Sequence, residues 1–566
     1  MPIAGVPDAS GLLARRLAWQ RGGQPHASQR PLAIAVLATY TADPLVPYLG
    51  TFLEEAGLPV RPWVGPIDQI VQQCVDDSSE TAAFRPDLLV VIPRFEELWS
   101  DGRPPMADPE GEPDPLVLVA DAAVEAAYRW GAALVFVLPS IPPLCAWGVG
   151  GDAASDGLAA PTGIREGVRA RLAGRPSVFL ADMEEVIRGV GTRHAFRPAL
   201  FRLARVPYTQ LVYGALAHRL ARIVRLRAHG SYQAVIIDGD SILGEPGADG
   251  AWSVRDGCEL VVPLLRPLDR DDVRITLRHT PAAAGLWAAP TPELELLATD
   301  VLSGWAIDEQ SVTGTVRDLT SLLRIRPRDT AIVTADPELV RELADAGSEC
   351  SLMLIGPSPD DWQQELDDMG LFDVLLEGPP SAPPAGGGPP AAGTAQTLER
   401  FLAGLRLELG YRTPEPHEAA SLAEMLRRTH DFTLGIELSQ QDITGAITDP
   451  SSTVLLVTVR DRFGDHGTSA AVGVRWQETV CTVDLFLVSC PVLGRGVERA
   501  VAQRIAELAL ERSCDTVRFR CKTTGRNRET LQFLQRLAVE YHAPGDGAES
   551  TEFICDWRIS SGDVRV

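Results

Sequence analysis

Short runs of apolar residues, each followed by a stretch of helical periodicity, recur from Pro31 to Ile355 and limit what this chain can fold into. Pro31–Tyr40, Asp87–Pro93, Gly131–Leu138, Ser177–Ala181, Ala234–Ile237, Val273–Leu277, Thr330–Thr334 and Ser351–Ile355 have the length and apolarity of strands buried on both faces. Between them lie helical patterns such as Val46–Ala56, Pro115–Trp130, Tyr208–Arg227 and Ser311–Leu323. Strand and helix in alternation predict parallel, doubly wound sheets. At 566 residues the chain is long enough for three to four such cores.

The stretch Tyr232–Gly244 carries the clearest chemistry. Its strand ends abruptly in Asp238-Gly239-Asp240-Ser241. In open α/β sheets, reactive groups lie just beyond the carboxyl ends of strands. Two carboxylates two positions apart there have the makings of a nucleophile and a proton-transfer or cation-binding partner. An Asp/Gly turn accounts for the same residues without chemistry. In the first unit, Thr39, Thr41 and Asp43 follow the first strand, and Asp182 follows the last, with His194 downstream. An Asp and a His there could be the remnant of a hydrolase dyad, but no nucleophile motif accompanies them, so a docking domain is the expected role.

Composition narrows the partners. The net charge is −24, which disfavours nucleic acid. An acidic carrier protein would have to meet a local basic patch. The nine cysteines include no CxxC pair, so neither a zinc site nor a disulfide framework is indicated, and a reducing cytoplasm is the expected location. No apolar run reaches the roughly 20 residues that span a bilayer. Residues 1–29 are expected to form a mostly disordered leader. Residues 378–396, rich in Pro, Gly and Ala, are expected to be a linker. The predicted architecture is thus α/β multidomain: residues 30–229, 230–377 and 397–566.

In the last unit, strands over Thr453–Arg460, Ala470–Val474 and Thr482–Val488 precede Ser489–Glu498 and a helix over Ala500–Leu510. A strand feeding a glycine-containing loop and a helix start is an anion-binding arrangement. The candidate loop residues are Leu493, Gly494, Arg495, Gly496 and Val497. Asp461, Asp465 and His466 are polar candidates beside an acyl site, although an Asp/Gly turn explains them equally well. Cys490 is expected to be a buried strand-end thiol.

Val459–Gly467 and Val488–Glu498 closely resemble the C-terminal domain of FkbH-like proteins, which is similar to the GNAT acyltransferase fold. Arg428–Leu434 and Lys522–Phe533, with Asn527, resemble further stretches of that family. The run ATYTADPLVPYL resembles its flavodoxin- or SGNH-like first domain, and residues 232–377 its HAD-type (haloacid dehalogenase) Rossmannoid domain. The resemblance implies a role in polyketide or related secondary metabolism: dephosphorylation of a phosphoglyceryl donor and acyl transfer to an acyl carrier protein. It implies Asp238 as nucleophile and Asp240 as acid/base partner, while Asp465 and His466 stand as the candidate catalytic residues of the last unit. The implied cofactors are Mg2+ and a phosphopantetheine arm or CoA, the latter on residues 493–497 and Asn527. Neither a nucleic acid nor a membrane is among the implied partners.

The central motifs depart from the family pattern. Ile242 stands at the expected threonine, and Leu277-Arg278 at the expected Cys-Ser. Asp308 stands at the lysine, and Thr334-Ala335 at the acidic pair. The metal set then reduces to Asp238, Asp240 and Asp336, and Arg278 is left to replace the lysine's charge. A carboxylate facing a phosphate without lysine or metal has little electrostatic compensation. The contrasting expectations are a non-catalytic scaffold that grips a carrier protein, and a phosphatase with altered charge partners.

Overall fold

The computed structural model describes residues 9–22, 30–99, 114–141, 153–246, 252–268, 273–281, 283, 291–307, 311–373, 402, 405–429, 431–461, 464–489, 492–524, 527–537, 540–542 and 552–559. The predicted linker, Asp308 and Cys490 lie outside them.

The first unit is a five-stranded parallel sheet of β1 (Leu32–Ala38), β2 (Val60–Val64), β3 (Leu88–Ile92), β4 (Ala133–Leu138) and β5 (Val178–Asp182). Its order, β2-β1-β3-β4-β5, is that of flavodoxin-type sheets. β3 and β4 are buried at every position, because helices cover both faces. The helix Gln210–His229 closes one face and leads to the second unit, where its buried Arg222 donates to Asp373 Oδ2 at 2.9 Å.

The leader is not wholly unstructured. Ala9–Gly22 is a helix, and Leu12 is fully buried in the first core. Glycine makes room for it: a methyl at Gly214 would lie 2.5 Å from Leu12, and one at Gly50 would lie 2.3 Å from Trp19.

The second unit contains β6 (Ala234–Asp238), a small antiparallel ribbon of β7 (Gly244–Pro246) and β8 (Trp252–Val254), then β9 (Arg274–His279), β10 (Gly304–Ile307), β11 (Thr330–Thr334) and β12 (Ser351–Leu354). Its main sheet is parallel throughout, in the order β10-β9-β6-β11-β12. The strand order reverses at β6, so the crevice expected to hold a ligand lies at the ends of β6 and β11.

The third unit is a seven-stranded sheet of β13 (Glu408–Arg412), β14 (Ser452–Asp461), β15 (Gly464–Gln477), β16 (Val480–Val488), β17 (Thr516–Lys522), β18 (Glu540–His542) and β19 (Glu552–Arg558). Neighbours run antiparallel except β16 and β17, which are joined by the helix Val497–Glu511. Their parallel pairing stops at Val483 and Phe519, and beyond that point the two strands no longer pair.

Candidate functional site

The strand register explains the centre at β6. Asp238 is the direct partner of Arg278 across the parallel β6/β9 pair, so both side chains project from the same face. Arg278 Nη1 donates to Asp238 Oδ1 at 2.7 Å, and both side chains are buried. The hydroxyls of Ser241 and Thr334 each donate to Asp238 Oδ2 at 2.6 Å. Both oxygens are therefore engaged within the protein. Burial pushes the Asp238 carboxyl up, while Arg278, Ser241 and Thr334 pull it down.

The other two acids face elsewhere. Asp240 accepts the backbone N–H of Thr280, at 3.1 Å to each oxygen. Asp336 caps the helix Pro337–Asp345 by accepting from Glu338 N at 2.9 Å. The expected metal set of Asp238, Asp240 and Asp336 is not assembled. A guanidinium stands against the first carboxylate, and the other two carboxylates serve backbone amides. Among the described residues, no group of three or more His, Cys, Asp or Glu side chains is arranged to hold a metal. The residues present do not fit Mg2+. Arg278 does supply a replacement charge, but directs it at the nucleophile position itself.

In the first unit, Asp182 binds Arg165 and Arg169, each at 2.7 Å, and caps its helix through Glu184 N. His194 is exposed and makes no pair with Asp182. The crevice beyond β1 and β3 contains a buried ion cluster. Arg94 donates to Glu96 and Glu97, at 2.7 and 2.8 Å, and burial drives the Glu97 carboxyl up to about 8.

The third unit's candidates separate into three groups. Asn527 is fully buried. Its Nδ2 donates to Lys522 O at 2.9 Å and to Thr433 O at 3.1 Å, and its Oδ1 accepts from Thr524 N. It is a structural tie rather than a cofactor ligand. Asp465 accepts from Gly467 N at 2.8 Å and forms the turn. His466 Nε2 lies 3.1 Å from Asp461 Oδ1 in a buried cluster. Arg495 enters that cluster, with Nη1 2.7 Å from Asp461 Oδ2 and Nη2 3.1 Å from Asp68 Oδ2 of the first unit. Burial works to raise the Asp461 carboxyl, but His466 and Arg495 overcome it and hold it low. At Asp68 burial wins and the carboxyl rises to about 6. Arg495 thus locks two units together and does not serve the loop's ligand side. Asp68 holds φ at +59°, a left-handed conformation that costs a non-glycine residue about 1 kcal/mol or more.

The gap beyond Val483 and Phe519 is filled by the chain itself. Val488 N donates to Phe432 O at 3.1 Å, and Lys522 N to Leu434 O at 2.8 Å. Thr433 and Leu487 form an antiparallel bridge. Gly435, at φ +72°, is required here, because a Cβ would sit 2.2 Å from Lys522 O.

Gly494 and Gly496, with Leu493, open instead onto a cavity of about 890 Å³ between the first and third units. Val497 is buried in the core behind the loop. Two carboxyls that sequence reasoning missed, Glu498 and Glu529, line this cleft. Glu498 accepts the amides of Gly494 and of its own residue, yet burial still pushes its carboxyl up. Among the described residues, its Oε2 is buried with no hydrogen-bond partner. Glu529 accepts from Gln69 Nε2 of the first unit, at 3.2 and 3.4 Å. Burial raises the Glu529 carboxyl to about 7, and Asp431, Glu498 and Glu80 add to the rise.

No protein-family model matches the chain, and no curated protein matches it. Among solved structures, the chain is similar to the N-terminal part of protein BF1531 from Bacteroides fragilis, which contains a phosphatase domain and was crystallised with Mg. Identity is 13%, the TM-score is 0.51, and the match covers 64% of this chain and 98% of that one. Over nearly two thirds of its length, the chain shares that protein's fold. Shorter matches, each covering 27% of this chain, are the ribosomal-protein-S18-alanine N-acetyltransferase of Escherichia coli and a GNAT-family acetyltransferase of Staphylococcus aureus. The first has 12% identity, a TM-score of 0.22 and 95% coverage of that chain; the second has 9%, 0.22 and 100%. At 13% identity the likeness to the Bacteroides fragilis protein speaks for fold alone. No helix among the described residues is long and apolar enough to cross a membrane.

Proposed function

We propose that this chain is an FkbH-like natural-product biosynthesis protein that acts with an acyl carrier protein. In this reading the carrier's phosphopantetheine arm enters the cleft between the first and third units, and the phosphatase-type centre is silent. The observation that carries the reading is Glu529. Its carboxyl, raised to about 7, faces a cavity large enough for an extended acyl-bearing arm. A carboxyl near neutral is suited to taking a proton. Glu529 takes the proton of the arm's thiol, the sulfur attacks the acyl carbonyl carbon, and the donor's leaving group departs with that proton.

The phosphatase reading has the Arg278–Asp238 pair against it. In-line attack needs a free carboxylate oxygen and a cation for the phosphoryl group. Here the guanidinium and two hydroxyls hold both oxygens. A scaffold reading draws support from the self-filled gap between β16 and β17.

The deciding experiment is intact-protein mass spectrometry of a holo carrier protein incubated with the chain and a panel of acyl-CoA thioesters. The reading predicts an acyl mass shift that Glu529→Gln lowers by at least about a hundredfold. If the carrier binds but gains no mass from any donor, transfer is ruled out in favour of the scaffold.

A further inference from the structure

We infer that the interdomain cleft holds its ligand with the phosphate outward, on Arg499, Arg528 and Arg536, and a neutral, donor-rich arm inward, against Glu498 and Glu529. This rests on the pantetheine reading above and specifies how that site works. It places the phosphate at the mouth of the cleft rather than on the glycine loop.

Three observations exclude the loop and the gap behind it. The Gly494 amide already donates to the Glu498 carboxylate. Gln69 of the first unit lies over Gly494, where even a methyl would come within 3.1 Å of its side chain. The opening between β16 and β17 is occupied by Phe432–Gly435 through backbone hydrogen bonds. A phosphate moved onto the loop would displace one buried carboxylate and face a second.

The polarity of the cleft runs the other way. Among the described residues, Glu498 Oε2 is buried without a hydrogen-bond partner, which leaves an acceptor in want of an N–H or O–H group. Glu529 and Gln69 add further hydrogen-bonding atoms beside it. A pantetheine arm carries two amide N–H groups, a hydroxyl and a thiol, and so supplies donors without negative charge. The three arginines line the same cavity and are exposed. Among the described residues, Arg528 has a loose partner, Glu80, at 3.9 Å. Guanidinium groups at a solvent-facing mouth are the natural seat for a phosphate monoester or diester. The first unit thereby becomes part of the third unit's site, through Gln69 and its neighbours Gln72 and Gln73.

Isothermal titration of the full chain with phosphopantetheine, pantetheine and inorganic phosphate tests the arrangement. Phosphopantetheine is expected to bind at least about tenfold more tightly than pantetheine. The combined variant Arg499→Ala, Arg528→Ala should weaken phosphopantetheine by at least about threefold and leave pantetheine unchanged. These side chains are exposed, so the fold is expected to survive. Full phosphopantetheine affinity in that variant would overturn the orientation while leaving the pantetheine reading intact. If neither pantetheine compound binds the wild-type chain, the reading and the orientation fall together.

Discussion

Arg278 Nη1 stands 2.7 Å from Asp238 Oδ1, and each is the other's register partner across two central strands. That contact converts a carboxylate at the expected position of a phosphoryl acceptor into half of a buried ion pair. Removing one member of such a pair leaves an uncompensated charge, at a cost of about 3–5 kcal/mol. Arg278→Met is therefore expected to lower stability by that amount. The double variant Arg278→Met, Asp238→Leu should recover most of it. Urea denaturation of the three proteins checks this; equal losses in the single and double variants would refute a structural pair.

Arg495 joins Asp461 of its own unit to Asp68 of the first. Arg495→Met is expected to destabilise by about 3–5 kcal/mol and to loosen the first unit from the third. Limited proteolysis should show faster cleavage in that variant, and unchanged protection would count against the lock.

Gly435 has a backbone conformation and a neighbour that exclude any side chain. Gly435→Ala is expected to cost at least about 2 kcal/mol, by combining left-handed strain with overpacking against a carbonyl. Thermal denaturation of the variant reads this directly, and a wild-type midpoint would mean that the gap between β16 and β17 is not tightly filled.

Three carboxyls raised into the range of about 6 to 8 contribute to the pH dependence. Asp68 is raised to about 6, facing Arg495, Arg205 and His466. Glu529 is raised to about 7, facing Gln69, Asp431, Glu498 and Glu80. Glu97 is raised to about 8, facing Arg94, Glu96, Asp68 and Arg205. The folded protein thus holds protons that the unfolded chain releases near pH 4. Their contribution is full below that point and is lost as pH rises through about 6 to 8. The urea midpoint should fall between about pH 5 and about pH 8, whereas a midpoint rising over that span would contradict the assignment.

Much of the architecture was legible in the chain. The apolar runs ending at Ala38, Asp238 and Thr334 became strands because they are buried on both faces, and burial leaves a direct mark on sequence. The helix Ala9–Gly22 was missed because it has no amphipathic stripe; Leu12 and Trp19 anchor it against glycines far along the chain. Arg278 was legible as a substitute charge but not as the partner of Asp238, since register is a property of the paired strands. Glu529 and Gln69 left no signal. They are 460 residues apart and meet only when two units dock. Asn527 matched a family position, but its bonds go to Thr433 and Lys522.

On the proposed reading, Asp238 takes no phosphoryl group because Arg278, Ser241 and Thr334 hold both of its oxygens. Intact mass measurement of the chain after incubation with acetyl phosphate and Mg2+, followed by peptide mapping, tests it most directly. The ion pair predicts an unmodified Asp238 in both the presence and the absence of Mg2+. A Mg2+-dependent phosphoryl adduct mapped to Asp238 would contradict it.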